Sequence, residues 1–128
     1  MRLLLDTHAL IWWLVGDASL SKQAMSVIAD EQNEILVSAA SAMEISTKFR
    51  LGKLPDAALL ASGLADYVAD QGFVELPVTI AHAARAGNLT IAHKDPFDRL
   101  LIAQSLIEGA PLVSNETLFD GFGVQRVW

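Results

Sequence analysis

The chain contains no cysteine, so disulfide bridges, cysteine nucleophiles and zinc sites built from thiolates are excluded. It has only 3 histidines among 128 residues, which does not favour a metal site built from imidazoles. Its longest apolar run, residues 9–15, is far shorter than the roughly 20 residues of a membrane-spanning helix. Only three leucines stand between Arg2 and Asp6, which does not fit a secretory signal peptide. We therefore expect a soluble, cytoplasmic protein without a membrane partner.

Positive charge is also scarce, since 9 lysines and arginines face 15 aspartates and glutamates and leave a net charge of −6. This balance argues against a protein that holds nucleic acid by bulk electrostatic attraction. Another route stays open, because clustered carboxylates can hold a divalent cation that then contacts phosphate. No repeat, low-complexity stretch or Ser/Gly-rich linker interrupts the chain, so we expect residues 1–128 to form one domain.

Short apolar runs alternate with longer segments of helical period, and this alternation predicts an α/β fold. We expect a central parallel sheet of about four to five short strands, covered by helices on both faces. The strands are predicted at residues 3–5, 35–37, 73–76, 112–114 and 124–128. The helices are predicted at residues 9–15, 21–32, 41–51, 57–70, 79–86, 96–108 and 116–120.

Acidic residues follow several of these strands, and ligands of open parallel sheets bind beyond the carboxyl ends of the strands. Asp6 follows the first strand directly, Glu44 lies soon after the second, and Glu116 comes two residues after the fourth. Asp98 opens the helix that leads into the fourth strand. It reaches the same edge only if the irregular residues 87–94 bring the chain back there.

Carboxylates that converge in this way raise each other's pKa unless a cation compensates their charge. An all-oxygen site suits Mg²⁺ or Mn²⁺, which is held by one or two carboxylates with waters completing the shell. Beside a phosphate, such an ion favours hydrolysis, and a free carboxylate can orient the attacking water. Asp6 is the strongest candidate for a functional acid. It interrupts an apolar stretch, so it is expected to be partly buried and to need a partner for its charge, and only Arg2 is a nearby base in sequence.

The other acids have structural explanations that the sequence alone leaves open. Ser41 and Glu44 have the spacing of a capping box, in which Glu44 would only bond back to the start of its helix. Asp95 precedes a proline and is predicted as an N-cap. Asp98 stands in the first helical turn, where the helix dipole favours an acid with or without a catalytic role.

Four segments carry these acids: LLLDTHALIWW with Asp6, SAASAMEISTKFRLGKL with Glu44, HKDPFDRLLIAQ with Asp98 and PLVSNETLFDGFGV with Glu116. In order, spacing and surroundings they resemble PIN-domain proteins, and specifically the VapC-like toxins of bacterial toxin–antitoxin pairs. The resemblance covers nearly the whole chain. It implies a single PIN-like domain with Mg²⁺- or Mn²⁺-dependent endoribonuclease activity on RNA phosphodiester bonds. It also implies a homodimer, inhibited by a cognate VapB-like antitoxin whose tail lies over the active site.

The resemblance also assigns roles to residues. Asp6 and Asp98 match metal ligands, and Glu44 matches a third acid that binds the metal or orients water. Glu116 stands where the family usually has aspartate, and its longer side chain favours a contact through water over direct ligation. Three small polar residues match positions that line the site, namely Thr7, Ser114 and Asn115.

Basic residues close to the matched acids are predicted to hold RNA phosphates on either side of the scissile one; they are Lys48, Arg50, Lys53 and Arg99. Lys48 shares a helical face with Glu44, so it is the one expected to point into the site. The alternative is a solvated helix end, at which cations complement the helix dipole. Among the histidines, His93 is expected to lie nearest the substrate.

Two other functions remain open at this point. A small-molecule phosphohydrolase with Asp6 as nucleophile is disfavoured, because His8 stands where a D-x-D enzyme needs its second aspartate. A partner-binding module with a degenerate site is suggested only by Glu116 in place of aspartate.

Overall fold

The structure is a computed structural model that describes residues 1–54 and 58–128, apart from the side chain of Leu59. Its strands are β1 (Arg2–Leu5), β2 (Glu34–Ser38), β3 (Val74–Leu76), β4 (Leu112–Val113) and β5 (Arg126–Val127). Its helices are α1 (Thr7–Val15), α2 (Lys22–Ala29), α3 (Ala39–Arg50), α4 (Ala58–Asp70), α5 (Ile80–Asn88) and α6 (Pro96–Glu108). A 3₁₀ helix spans Thr117–Phe122. Over the described ranges, no helix is both long and apolar enough to cross a membrane.

All the strand pairs are parallel, and the sheet order is β3-β2-β1-β4-β5. Successive side chains of a strand point to opposite faces, so β1 contributes to two separate cores. Leu3 and Leu5 pack into the cluster that contains residues of α1 and α2, whereas Leu4 packs into the cluster that contains residues of α6. A strand buried on both faces explains the uninterrupted leucines of β1. The predicted α/β class with a covered parallel sheet is confirmed.

Most elements lie where they were predicted, but two helices begin earlier than expected. Helix α1 begins at Thr7 because the Asp6 carboxylate caps it. Helix α3 begins at Ala39 because Ser38 accepts a hydrogen bond from the Ala40 amide. The predicted helix at 116–120 is the 3₁₀ helix, and the predicted start of the fourth helix, at residue 57, lies outside the described residues.

The order of the sheet determines where a ligand can bind. Strand β1 lies at the centre, with β2 on one side and β4 on the other, so the connections diverge at its carboxyl end. Leu5 pairs in register with Val37 and Val113. Asp6, the next residue, therefore lies between the ends of the two neighbouring strands, at the topological switch point where open α/β sheets bind ligands.

Candidate active site

A cavity of about 270 Å³ opens at the carboxyl end of β1. The four acids singled out in the sequence, Asp6, Glu44, Asp98 and Glu116, all line it, although they come from four distant segments. The other lining residues are Thr7, His8, Lys48, His93, Asp95 and Leu118. The irregular segment 87–94 thus does return the start of α6 to this edge of the sheet.

Asp6 is a buried acid of the cavity, with 4% of its surface exposed. Its Oδ1 accepts the Ala9 amide at 2.7 Å, which is the N-cap bond of α1. Burial raises the pKa of Asp6 to about 6, although hydrogen bonds from Ser114 and Ala9 oppose this rise; the nearby Asp98 adds to it. A negative charge at Asp6 is therefore costly, and a cation beside it would relieve that cost.

Glu44 is also buried, with 3% of its surface exposed, and it lies in the second turn of α3. Its Oε1 accepts the Thr7 hydroxyl at 2.5 Å, and its Oε2 forms an ion pair with the Lys48 ammonium. Burial lowers the pKa of Lys48, but the contact with Glu44 and the charges of Asp95 and Asp98 together outweigh it, and the net shift is upward. The capping-box interpretation of Ser41 and Glu44 is wrong, because Ser41 lies inside the helix.

Asp98 lies in the first turn of α6, next to the cap of that helix. As predicted, Asp95 caps α6, and its Oδ1 accepts the amides of Phe97 at 2.9 Å and Asp98 at 3.2 Å. The Asp98 Oδ2 lies 2.7 Å from the His93 Nε2. Burial raises the pKa of Asp98; the His93 hydrogen bond opposes that rise, whereas the charges of Asp95 and Glu44 add to it.

The segment after β4 contributes the fourth acid in a different way. Glu116 is exposed at the rim of the cavity, and its amide donates to the Ser114 Oγ at 3.0 Å. Ser114 is fully buried and also hydrogen-bonds the Asp6 side chain. Of the small polar residues expected in the site, Thr7 lines the cavity and Ser114 supports it from below. Asn115 is exposed and is not part of its lining.

The four residues predicted to bind phosphate lie in different surroundings. Lys48 lines the cavity, whereas Arg50 and Lys53 are exposed beyond its lining. The Arg99 guanidinium donates to backbone carbonyls of residues 86–93. These bonds leave it no N–H group for a phosphate, so we replace the predicted phosphate contact of Arg99 by a structural role.

The histidines have different surroundings. His82 is buried outside the lining of the cavity, and its ring contacts Thr79 and Glu108, so its role is structural. His93 lines the cavity and contacts Asp98, and its closeness to the substrate stays a prediction. His8, for which the sequence indicates only a structural or rim role, lines the cavity, and its ring lies 5.6 Å from that of Trp12. Its position in the first turn after Asp6 was the signal for this placement.

The resemblance implies a Mg²⁺ or Mn²⁺ ion, so we asked whether these residues fit one. Over residues 1–54 and 58–128, no three acidic or imidazole side chains come close enough to hold one ion by themselves. Mg²⁺ does not require such a cage, because it commonly keeps several waters and binds one or two carboxylates. Asp6 is a buried and Asp98 a half-buried oxygen donor, and both have raised pKa values. Their chemistry fits a hydrated ion of this kind.

Comparison with known proteins places the chain among relatives. Residues 3–124 match the PIN domain family. Ribonuclease VapC16 of Mycobacterium tuberculosis is 40% identical over 67 residues, which are 52% of this chain and 48% of that protein. The match therefore spans about half the length of that relative.

Two solved structures share the fold. A chain of VapBC2 from Rickettsia felis, bound to a DNA fragment from its promoter, has a TM-score of 0.69 and 14% identity, with 98% of this chain and 97% of that chain covered. A chain of a toxin–antitoxin complex from Klebsiella pneumoniae has a TM-score of 0.54 and 18% identity, with 90% and 87% covered. The family match includes residues 3–5 of β1 and all four acids of the cavity. This chain therefore belongs to the PIN domain family.

Proposed function

We propose that this protein is a Mg²⁺- or Mn²⁺-dependent endoribonuclease, the toxin of a VapBC-type pair. The observation that carries the proposal is the convergence of Asp6, Glu44, Asp98 and Glu116 on one cavity at the switch point of the sheet. Carboxylates gathered in this way suit phosphodiester hydrolysis assisted by a metal. The partial similarity to a protein named as a ribonuclease supports RNA as the substrate class.

Asp6 and Asp98 are the residues that would hold the ion. When bound, the ion polarises a phosphoryl oxygen and lowers the pKa of a bound water. The chain's own groups prepare the site for this chemistry. Ser114 and Ala9 fix the Asp6 carboxylate from below, and His93 fixes that of Asp98 from the side. Such outer contacts keep ligands in one orientation.

Lys48 is the cation best placed to meet the substrate. Its ammonium has three N–H donors and Glu44 takes one of them, so two remain for a phosphate oxygen at the cavity. Glu44 is occupied by Thr7 and Lys48, which favours a role in holding Lys48 or orienting water over direct ligation. Glu116, at the exposed rim, reaches the site through water in this proposal.

The charge of the whole chain agrees with dependence on a metal. Without the four site acids, 11 acidic residues face 9 basic ones, so the rest of the protein is nearly neutral. We expect RNA affinity to rest on the bound ion and on a few cations near Lys48, Arg50 and Lys53. Strong binding of RNA in the absence of divalent ions would contradict this account.

The partners follow from the same proposal. We propose a homodimer that a VapB-like antitoxin neutralises in the cytoplasm. The two structural neighbours are chains of toxin–antitoxin complexes, which supports an antitoxin as partner. Co-expression with the product of a small adjacent gene, followed by co-purification and loss of RNA cleavage, tests this part.

The test of the activity uses purified protein, a panel of structured RNAs and either Mg²⁺ or Mn²⁺. Cleavage should disappear with EDTA and in Asp6→Asn. The matched control is Asp66→Asn, which removes an exposed acid of α4 and should leave cleavage unchanged. Cleavage that survives both chelation and Asp6→Asn would remove the metal–carboxylate mechanism.

A second candidate is a partner-binding module without catalysis. The observations that favour it are the exposed Glu116 in place of aspartate and the absence, within the described chain, of a three-ligand cluster. Calorimetric titration with Mn²⁺ separates the two functions. If no binding is detected at millimolar Mn²⁺, the partner-binding module is preferred. The phosphohydrolase alternative would require a phosphorylated Asp6 intermediate, which acid-quench trapping detects.

A further inference from the structure

The side chain of Arg99 binds the backbone of the segment between α5 and α6. Residues 89–95 form neither helix nor strand, yet Arg99, in the first turns of α6, reaches across to their backbone. Its Nε donates to the Ala86 carbonyl at 3.0 Å. Its Nη1 donates to Ile91 at 3.3 Å and His93 at 2.9 Å, and its Nη2 donates to Gly87 at 3.3 Å and Leu89 at 2.8 Å.

These five bonds use every N–H group that a guanidinium has. They also satisfy carbonyls at the end of α5 and in the following turns, which have no ladder of their own. A lysine cannot replace this arrangement, because its ammonium is a single point and has only three donors. The conformation of residues 86–93 therefore depends on Arg99.

One of the five contacts leads directly to the acidic cavity. The carbonyl of His93 accepts from Arg99, and the ring of the same histidine lies 2.7 Å from the Asp98 Oδ2. Asp98 is the neighbour of Arg99 in sequence. The three residues thus close a ring of contacts, in which Arg99 fixes the backbone of His93 and His93 fixes the carboxylate of Asp98.

We propose that Arg99 is a positioning residue of the active site, which places His93 against Asp98 and so orients the Asp98 carboxylate. Its effect on RNA cleavage rests on the proposed function. The contact itself does not, so it is measured separately from activity.

The first measurement uses the wild-type protein, so no variant has to fold. If all five donors are bonded, NMR should resolve the Nη protons of Arg99 as separate signals that exchange slowly with water. A single averaged Nη signal, typical of a freely rotating guanidinium, would overturn the proposal.

The second measurement follows the ring of His93 by NMR in Arg99→Lys, Arg99→Gln and Asp98→Asn. Both Arg99 variants should shift the His93 ring signals toward those of Asp98→Asn, while amide spectra show a retained fold. The control is Arg85→Gln, which removes an exposed arginine of α5 and should leave the ring signals unchanged. An unchanged His93 signal in a folded Arg99 variant contradicts the proposal, whether or not the protein cleaves RNA.

The third measurement is a double-mutant cycle on RNA cleavage under single-turnover and steady-state conditions. Loss of a residue that orients a metal ligand commonly costs about 10- to 100-fold, so we expect a kcat loss of about 10-fold for Arg99→Lys, with little change in KM. His93→Gln should lose a similar amount, and the double variant should lose no more than either alone. Losses that multiply, or a raised KM with unchanged kcat, would instead indicate that Arg99 acts on the substrate.

Discussion

Asp6 and Asp98 face the same cavity but are placed by different means. Asp6 follows the central strand of the sheet, and the cap of α1 and the buried Ser114 fix its carboxylate. Asp98 follows a segment without regular structure, and its carboxylate is held by His93, whose backbone Arg99 holds in turn. One acid is thus positioned by the sheet and the other by side chains.

The largest expected effect is a loss of RNA cleavage, and it should be similar for the two acids. If both acids hold the same ion, Asp6→Asn and Asp98→Asn should each reduce RNA cleavage by on the order of 1,000-fold, because each removes a charged ligand. Initial rates at saturating Mn²⁺ measure this. A large loss in one variant with near-normal activity in the other would show that only one acid is essential.

Substitution of the two acids should change stability to different extents, although it should reduce activity to a similar extent. In metal-free buffer at pH 7.5, Asp6→Asn should raise the free energy of unfolding, because burial lifts its pKa from 3.8 to about 6 and an uncharged amide avoids the cost. The gain should be about 1–3 kcal/mol, since asparagine still caps α1. Asp98→Asn should gain less, because its side chain is 26% exposed. Urea unfolding measures both, and a destabilised Asp6→Asn would contradict the assigned burial cost.

The pH dependence of stability follows from the same shift. Between pH 4 and 6 folded Asp6 retains a proton that the unfolded chain has lost, because its pKa is about 6 rather than 3.8. The stability that this proton provides is complete below the unfolded pKa and is lost as the pH rises through about 6. Asp17, Glu108 and Asp120 have lowered pKa values, so their contributions are lost only toward more acidic pH. Wild-type Tm without metal should therefore fall from pH 5 to pH 7, and Asp6→Asn should flatten that fall.

Lys48 should have an intermediate effect. Lys48→Met leaves Glu44 buried without its ion pair. We therefore expect the free energy of unfolding to fall by about 1 kcal/mol and the KM for RNA to rise several-fold. Lys22→Met removes an exposed lysine of α2, outside the cavity, and is the matched control. Equal effects of the two substitutions would mean that only bulk charge matters.

The smallest effect is expected at the rim. Because Glu116 is exposed and is proposed to act through water, Glu116→Asp should change the cleavage rate by less than about 3-fold, which is under 1 kcal/mol. A larger gain or loss in initial rate would indicate that the Glu116 carboxylate binds the ion directly.

The position of Asp6 can be predicted from the sequence far better than the position of Asp98. An acid directly after an apolar strand predicts its own location, since the strand can be identified from local periodicity. The start of α3 could not be identified in this way, because Ser38 and Ser41 are both good caps. The choice is made by the pairing of β2 with β3, which extends the strand as far as Ser38. The five hydrogen bonds of Arg99 go to carbonyls between α5 and residue 93. No periodic pattern in the sequence predicts such contacts.

The central place of β1 also has a consequence for dynamics. Its leucines are buried in both cores, so its amides should exchange with solvent only when the whole domain unfolds. In residues 89–94, Leu89 and Ile91 are only partly buried against one core cluster and Arg99 binds the backbone, so we expect these amides to exchange through smaller openings than those of β1. Opening there withdraws His93 from Asp98 while Asp6 stays in place. Such an opening would loosen the Asp98 side of the cavity at a free-energy cost below that of global unfolding, and faster amide exchange in residues 89–94 than in β1 would show it.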